Sequence, residues 1–302
     1  MEQRLELEDV KCNFCGSDKH QKLFSKQGSL SAHMFQIVAC ADCGLVFVNP
    51  RLTTQQVADL YQQAYFQGDG FDGSVHYEQS IASEAESNDA ERALSRISSL
   101  YPATAKILEI GPGMGGFMQL AKNRGYAVQG LELSDYAAKQ LQARGLDVLQ
   151  GSLPTSALAA QSFDVIVAVE VIEHVTDPMT FFKEVNRLLK PGGLFYYETG
   201  NVACENAKTL GADWDYIMPE GHLYYFSPQI MGEYLAASGF AVAYPNWSPP
   251  QRTAFRLLRA MGLTDNGEVL PQGWRGKISR KLLFVWDKMT GANDAFPIGI
   301  KR

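Results

Sequence analysis

The chain has 302 residues, 46% of them apolar and 20% charged, with a formal net charge of −6. That balance is ordinary for a globular protein and excludes wholesale disorder, while the acidic total argues against non-specific binding to nucleic acid. The longest strongly apolar run, Phe163 to Val169, falls well short of the roughly 18 residues of a membrane span. The charged start, Met1 to Asp9, lacks the apolar core of a secretion signal, so a cytoplasmic protein is expected.

In chain order, the first feature is a pair of C-x-x-C motifs, Cys12/Cys15 and Cys40/Cys43, separated by short segments of β character such as Phe35 to Ala39. Without a secretion signal, this spacing favours metal over disulfides. Four thiolates fill a tetrahedral Zn²⁺ and leave no place for water, so the metal would be structural. Four reduced, unliganded thiols are the alternative. Cys204 stands apart and reads as a small apolar residue. Residues 53 to 64 and 77 to 100 look helical, with Gly68 to Gly73 as a flexible loop between them.

From residue 105 strands and helices alternate. Lys106 to Ile110 reads as a buried strand ending in glycines. Gly116 to Arg124 reads as a helix, Ala127 to Leu133 as a second strand, and Ser134 as the N-cap of a helix through Ala143. Leu146 to Gln150 is a short third strand, and Phe163 to Glu170 an apolar, central fourth. Asp177-Pro178 opens a helix to Leu189, and Leu194 to Glu198 is a fifth strand. Ser227-Pro228 opens another helix, ended by Gly239 before a sixth strand, Phe240 to Tyr244. From Gln251 onward ten Lys/Arg face four Asp/Glu, which leaves −12 for the preceding part. An apolar stripe between Lys277 and Met289 there fits a docking helix with a basic face, or a surface for an anionic substrate or membrane. Ile298 to Lys301 is the candidate last strand, although Pro297 and Gly299 suit a central strand poorly.

This alternation predicts an α/β fold with a doubly wound, mostly parallel, Rossmann-like sheet. The expected division is a small zinc-ribbon-like unit (1–52), a helical linker or cap (53–104), the cofactor domain (105–245 with 295–302) and a helical insertion or lid (246–294). Ligands of such sheets bind at the carboxyl ends of the strands, where the strand order reverses.

The glycine loop Gly111-x-Gly113-x-x-Gly116 matches a dinucleotide fingerprint, and Glu132 follows 21 residues after Gly111, where a ribose-binding carboxylate is expected. Spacing alone does not separate a nicotinamide cofactor from other adenosine cofactors. Glu109, two residues before the loop, would repel a pyrophosphate but attract an ammonium or sulfonium group. Together with Phe163-Asp164, Glu173-His174-Val175 and Leu189-Lys190-Pro191-Gly192-Gly193, residues 105 to 244 resemble the class I S-adenosylmethionine-dependent methyltransferases. The resemblance implies that Glu109, Gly111, Gly113 and Gly115 line the methionine end and that Glu132 takes the ribose hydroxyls. Leu133, Ser152 and Leu153 would lie along the adenine, and Glu170 on the cofactor's side. Gly151-Ser152-Leu153 lacks the acid common in that family, leaving backbone and Ser152 contacts. The cysteine region looks like the zinc-binding segment of some bacterial sugar and natural-product methyltransferases, without the long C-terminal domain of the deoxysugar C-methylating group.

Methyl transfer to a hydroxyl needs alignment and removal of a proton. The candidates are His174, Glu173 and His222. Glu170-x-x-Glu173-His174 also resembles methyltransferases of small-RNA ends and of ubiquinone synthesis, which hold a divalent metal there, with His222 as a fourth ligand. Metal site, unassisted histidine base and purely structural histidine all remain open. Asp213 to Tyr216 and Tyr224-Tyr225 could stack on a substrate or belong to the core. The expected partner is a small-molecule or glycan acceptor methylated at oxygen, with no specific nucleic acid. A nicotinamide-dependent oxidoreductase or epimerase, and an inactive zinc-ribbon interaction protein, are the competing readings.

Overall fold

The protein is described from a computed structural model, which covers residues 5–71, 84–244 and 296–302, with side chains from residue 89 in the second stretch. The expected lid, 246–294, with its basic stripe, lies outside the described residues. The N-terminal part holds β1 (Leu7–Glu8), β2 (His20–Gln27), β3 (Met34–Cys40), β4 (Val46–Val48), β5 (Arg51–Leu52) and helices α1 (Thr54–Asp59) and α2 (Glu84–Ser98). There follow β6 (Lys106–Ile110), α3 (Gly116–Asn123), β7 (Ala127–Glu132), α4 (Asp135–Ala143), β8 (Val148–Gln150) and β9 (Phe163–Val169). The chain continues through α5 (Pro178–Leu188), β10 (Leu189–Glu198), α6 (Glu205–Leu210), β11 (Tyr224–Tyr225), α7 (Pro228–Ala237), β12 (Phe240–Ala243) and β13 (Ile298–Lys301).

The main sheet has the order β12-β13-β10-β9-β6-β7-β8. β8, β7, β6, β9 and β10 run parallel, while β13 pairs antiparallel with both β10 and β12. Strand order reverses between β6 and β9, which puts the glycine loop at the crevice expected for a ligand. β9 is covered on both faces, and five of its seven residues are buried, as a central parallel strand requires. The helix signals act as side-chain caps: Ser134 accepts from Ala137 N, Asp177 from Thr180 N and Ser227 from Ile230 N.

β13 is more central than its composition suggested. A Cβ at Gly299 would come within 2.7 Å of Leu235 Cδ2 and 2.8 Å of the Phe240 ring. Glycine there admits the close approach of α7 and β12, a packing reason for a residue that otherwise weakens a strand. Several expected boundaries move. The third strand starts at Val148, the fifth extends back to Leu189 through a bulge, and the helix after residue 53 ends at Asp59. The Gly68–Gly73 segment is not merely a flexible loop where it is described. Tyr65–Asp69 forms a π-type turn, and Phe66, Gly68 and Phe71 are buried; aromatic anchoring outweighs the glycine signal.

The N-terminal unit is joined to the cofactor domain by backbone and core. Its sheet has the order β11-β4-β3-β2, so a strand from residues 224–225 completes it. Tyr224 faces Phe47 and Tyr225 faces Val46. One apolar cluster contains Cys12, Phe35, Ile37 and Phe47 together with Phe182, Tyr224 and Tyr234. Asn13, inside the first cysteine turn, accepts from Met179 N (2.9 Å) and Tyr234 Oη (3.0 Å) and donates to Asp177 (2.9 Å) at the start of α5. Among the described residues, no helix is long and apolar enough to cross a membrane.

Candidate active site

The glycine loop leaves β6 and enters α3 with Gly111, Gly113 and Gly115 at φ +65°, +55° and +80°, values that side chains disfavour. Space is also short: a Cβ would meet Val171 at 2.7 Å from Gly111 and Leu141 at 2.4 Å from Gly115. Glu132, at the end of β7, is held by the same turn. Its carboxylate accepts from Gly113 N (3.2 Å) and Ser134 N (2.8 Å). Beside it Leu133 is exposed, Ser152 is exposed and Leu153 half-buried, and Gly151 N donates to the Glu132 carbonyl (2.8 Å). The segments expected along the adenine are thus adjacent to the Glu132 carboxylate.

Glu109 is 6% exposed, and its Oε2 has no hydrogen-bond partner among the described residues. Burial, then the neighbouring charge of Glu132, pushes its carboxyl up to about 8. Burial also raises Glu132 to about 7, against the lowering effect of backbone donors at Ser134 and Gly113. An orphaned, buried carboxylate oxygen calls for a donor, and an ammonium group fits that need. A diphosphate does not.

Across the crevice, the chain leaves β9 through Glu170, a non-glycine residue at φ +51°, whose N–H donates to the Glu198 carbonyl (2.9 Å). The short turn Ile172–His174 then places Glu173, fully buried, under two hydroxyls. Thr199 Oγ1 donates to Glu173 Oε2 (2.9 Å) and Tyr216 Oη donates to Oε1. Tyr216 Oη in turn accepts from Gly200 N (2.8 Å). Burial and the charge of Glu173 hold Glu170 well above the usual carboxylate range. Part of Glu170 is nevertheless exposed, as suits a group in a cleft. Burial raises Glu173 too, against the hydrogen bonds it accepts.

His174 and His222 lie with ring centroids 4.7 Å apart. His174 Nδ1 bonds the Gly221 carbonyl (2.9 Å) and His222 Nδ1 the Tyr216 carbonyl (2.8 Å). Carbonyl oxygens only accept, so in each neutral ring Nδ1 carries the hydrogen and Nε2 the lone pair. Burial, then the proximity of His174, holds His222 well below the usual histidine range, so it stays neutral. One ligand-type atom from each of Glu173, His174 and His222 lies within 4.8 Å of the others. Aromatic rings surround the imidazoles: Tyr61 and Phe71 against His174, Phe71 and Tyr216 against His222.

The four cysteines meet in space. Cys12 and Cys43 have sulfurs 3.4 Å apart, Cys15 and Cys40 3.5 Å, and all four Sγ atoms lie within 4.8 Å of one another. Zn–S bonds of about 2.3 Å in a tetrahedron put sulfurs about 3.8 Å apart, so the donor set fits zinc. Both pairs make the same turn. Gly16 N donates to the Cys12 carbonyl and Gly44 N to that of Cys40, with φ of +74° and +80°.

A family described as a methyltransferase domain matches residues 81–244, more than half of the chain. The chain belongs to this methyltransferase family. The ubiquinone biosynthesis O-methyltransferase of Parvibaculum lavamentivorans is 35% identical over 32% of this chain and 40% of that one. That of Caulobacter vibrioides is 31% identical over 46% and 60%. The matches to these relatives thus take in about half of their length. A chain of the complex between the Haloferax volcanii Trm112 methyltransferase activator and a methyltransferase shares the fold, with TM-score 0.50 and 17% identity over 74% of this chain and 96% of that one.

In this class I methyltransferase domain the sequence-expected residues fall into three groups. Glu109, Gly111, Gly113, Gly115, Glu132, Leu133, Ser152 and Leu153 surround one mouth of the sheet. Glu173, His174 and His222 converge beside it. Glu170 stands apart, outside the set of converging donor atoms and exposed at the cleft. Tyr224 and Tyr225 are buried strand residues, and Tyr224 Oη is tied to Arg51 (2.9 Å), which removes them from the substrate rim. Cys204 does more than fill space, since its sulfur accepts from Ala207 N as the cap of α6. Sequence reasoning missed Thr199, Phe71 and Tyr61. Of these, only Phe71 lies in a segment singled out from the sequence, and that segment reads there as a flexible loop.

Proposed function

We propose that this chain transfers a methyl group from S-adenosylmethionine to a hydroxyl oxygen of a small, planar acceptor in the cytoplasm. The single observation that supports the donor best is the buried, partnerless Glu109 oxygen at a glycine loop whose other carboxylate is Glu132. When bound, the cofactor supplies an electrophilic methyl carbon. Glu109 would take its ammonium group and Glu132 its ribose hydroxyls. Leu133, Ser152 and Leu153 would flank the adenine, and Glu170 would close the cofactor's side of the cleft.

Oxygen as the accepting atom is supported by the paired imidazoles and by the O-methyltransferase names of the relatives. His174 and His222 each keep an Nε2 lone pair; His222, held neutral, can accept a hydrogen bond from an acceptor hydroxyl, and His174 is the candidate to remove its proton. Glu173, pinned by Thr199 and Tyr216, fixes the floor beneath them. The surrounding rings favour an aromatic hydroxyl compound over a glycan. The four cysteines would hold one structural Zn²⁺.

A second reading has its own observation. Glu173, His174 and His222 present converging donors, and the carbonyl bonds at both Nδ1 atoms are the outer support typical of metal-bound histidine. A divalent ion there would acidify and orient the acceptor hydroxyl.

Calorimetry with S-adenosylhomocysteine and, separately, NAD tests the donor. Binding of the first is expected; binding of NAD alone overturns the proposal. With caffeate as the hydroxyl probe, turnover after removal of every divalent metal except zinc separates the histidine reading from the metal reading.

A further inference from the structure

We propose that the turn at the tip of the β2–β3 hairpin, acting through the carboxylate of Glu220, positions His174 and His222. The N-terminal unit is then a working part of the acceptor wall, and Glu220 is a positioning residue. The inference rests on the acceptor-site reading given above.

Glu220 is only 2% exposed. Its carboxylate takes hydrogen bonds from three consecutive residues of one turn: Ser29 N (2.7 Å), Leu30 N (3.1 and 3.2 Å to the two oxygens) and Ser31 Oγ (2.8 Å), with Ser29 Oγ at 3.0 Å. Bonds of this kind to a charged acceptor are about twice as strong as neutral ones. The fit is close, since a Cβ at Gly28 would lie 2.3 Å from Glu220 Oε1. A buried carboxylate reaching into a turn some 190 residues away in sequence fixes the relative position of two units.

What it fixes is the backbone on which both imidazoles depend. Gly221 N and His222 N both donate to the Met218 carbonyl (3.1 and 2.7 Å), so Glu220 sits inside a tight turn. The next carbonyl, that of Gly221, is the acceptor for His174 Nδ1, and the next side chain is His222 itself. Moving Glu220 moves the acceptor of one ring and the backbone of the other.

A second path leads from the same turn to the same rings. The single hydroxyl hydrogen of Ser29 is shared between Glu220 and the Phe71 carbonyl. The Phe71 ring packs on His174 (5.9 Å) and on His222 (6.3 Å). Gly221 is what admits it, because a Cβ there would fall 2.1 Å from the ring. The cysteine cluster lies at the opposite end of the hairpin, where Cys40 pairs with His20. At about 3.4 Å per residue, β3 spans roughly 20 Å between the two ends. The hairpin therefore acts as a strut from the cysteines to the histidines.

The tautomer of His174 reads the clamp directly. In the full chain labelled with ¹⁵N-histidine, long-range proton–nitrogen spectra resolve which ring nitrogen carries the hydrogen. The five histidines are assigned with His174→Gln and His222→Gln. The intact protein should show the Nδ1–H form for both. In Glu220→Gln, the introduced amide hydrogens face turn donors, and His174 should pass to a mixture of tautomers. S-adenosylhomocysteine affinity should stay unchanged, since its expected site lies elsewhere in the crevice. A folded Glu220→Gln protein that keeps both Nδ1–H signatures overturns the proposal. If that variant does not fold, Ser29→Ala with Ser31→Ala removes both hydroxyls from the turn, and unchanged tautomers there overturn it equally. Failure of the intact protein to bind S-adenosylhomocysteine would instead strike the methyltransferase reading and leave the tautomer result standing.

Discussion

Two pairs of carboxylates, all buried except the exposed Glu170, line the crevice, and they are held in different ways. Glu132 receives its donors from backbone amides one turn away, at Gly113 and Ser134, while Glu109 keeps one oxygen unpartnered. Glu173, whose neighbour is Glu170, has both oxygens taken by side-chain hydroxyls from Thr199 and Tyr216. An unsatisfied buried oxygen costs free energy until something binds, so the first pair is prepared for a ligand. Glu173, the buried member of the second pair, is satisfied within the protein, and its task is to hold neighbouring groups in place.

The sharpest way to break that contrast is Glu132→Ala. In the role proposed for Glu132, two charged hydrogen bonds to ribose hydroxyls are lost, so S-adenosylhomocysteine affinity should fall about 100-fold or more. Thermal stability should change less, because the desolvation cost of the buried carboxylate goes with the bonds it accepts from Gly113 N and Ser134 N. Unchanged affinity in calorimetry would refute the ribose role.

Tyr216→Phe should do the reverse. It strips one donor from the buried Glu173 carboxylate and leaves Gly200 N–H without its acceptor. The expected loss is about 2 kcal/mol of stability in a denaturant titration, with cofactor affinity preserved. A stable variant with weakened cofactor binding would show that the two pairs are not separate in function. Smaller again is Glu109→Gln, which keeps shape and removes charge; affinity should fall about tenfold.

The same contrast explains what could be read from the sequence. The cofactor side is contiguous. Glycines with forced φ, a preceding acid and a following acid lie within 24 residues, from Glu109 to Glu132, and local rules reach that far. Glu173-His174 was visible for the same reason. Its supports were not: Thr199 is the residue after β10, Tyr216 lies in an irregular segment, and Phe71 follows a glycine-rich stretch that looked mobile. Their roles depend on which strand lies beside which, and on Gly200 and Gly221 leaving room for aromatic rings. Glu220 carried no signal at all, because its donors are Ser29 to Ser31. The meeting of the two C-x-x-C pairs was legible, yet the pairing of β11 with β4 was not, since a two-residue strand has no periodicity to detect.

Proton linkage offers the finest measure of the difference. In the ligand-free protein Glu109 is raised from an ordinary 4.5 to about 8 and Glu132 to about 7. The folded chain therefore holds these protons more tightly than the unfolded chain does. Their contribution to stability is present in full below about pH 4.5 and is lost as pH rises toward 8. An ammonium group at Glu109 needs the ionised carboxylate, so binding at pH 7 should expel about one proton. Affinity for S-adenosylhomocysteine should accordingly rise with pH, by up to about tenfold per unit, and level off near 8. Calorimetry in buffers of different ionisation enthalpy counts the proton, and Glu109→Gln should lower the count while Glu173→Gln should not. A count of zero at pH 7 would mean that Glu109 is already ionised without ligand or does not face the ammonium, and the distinction between a waiting pair and a satisfied pair would fail.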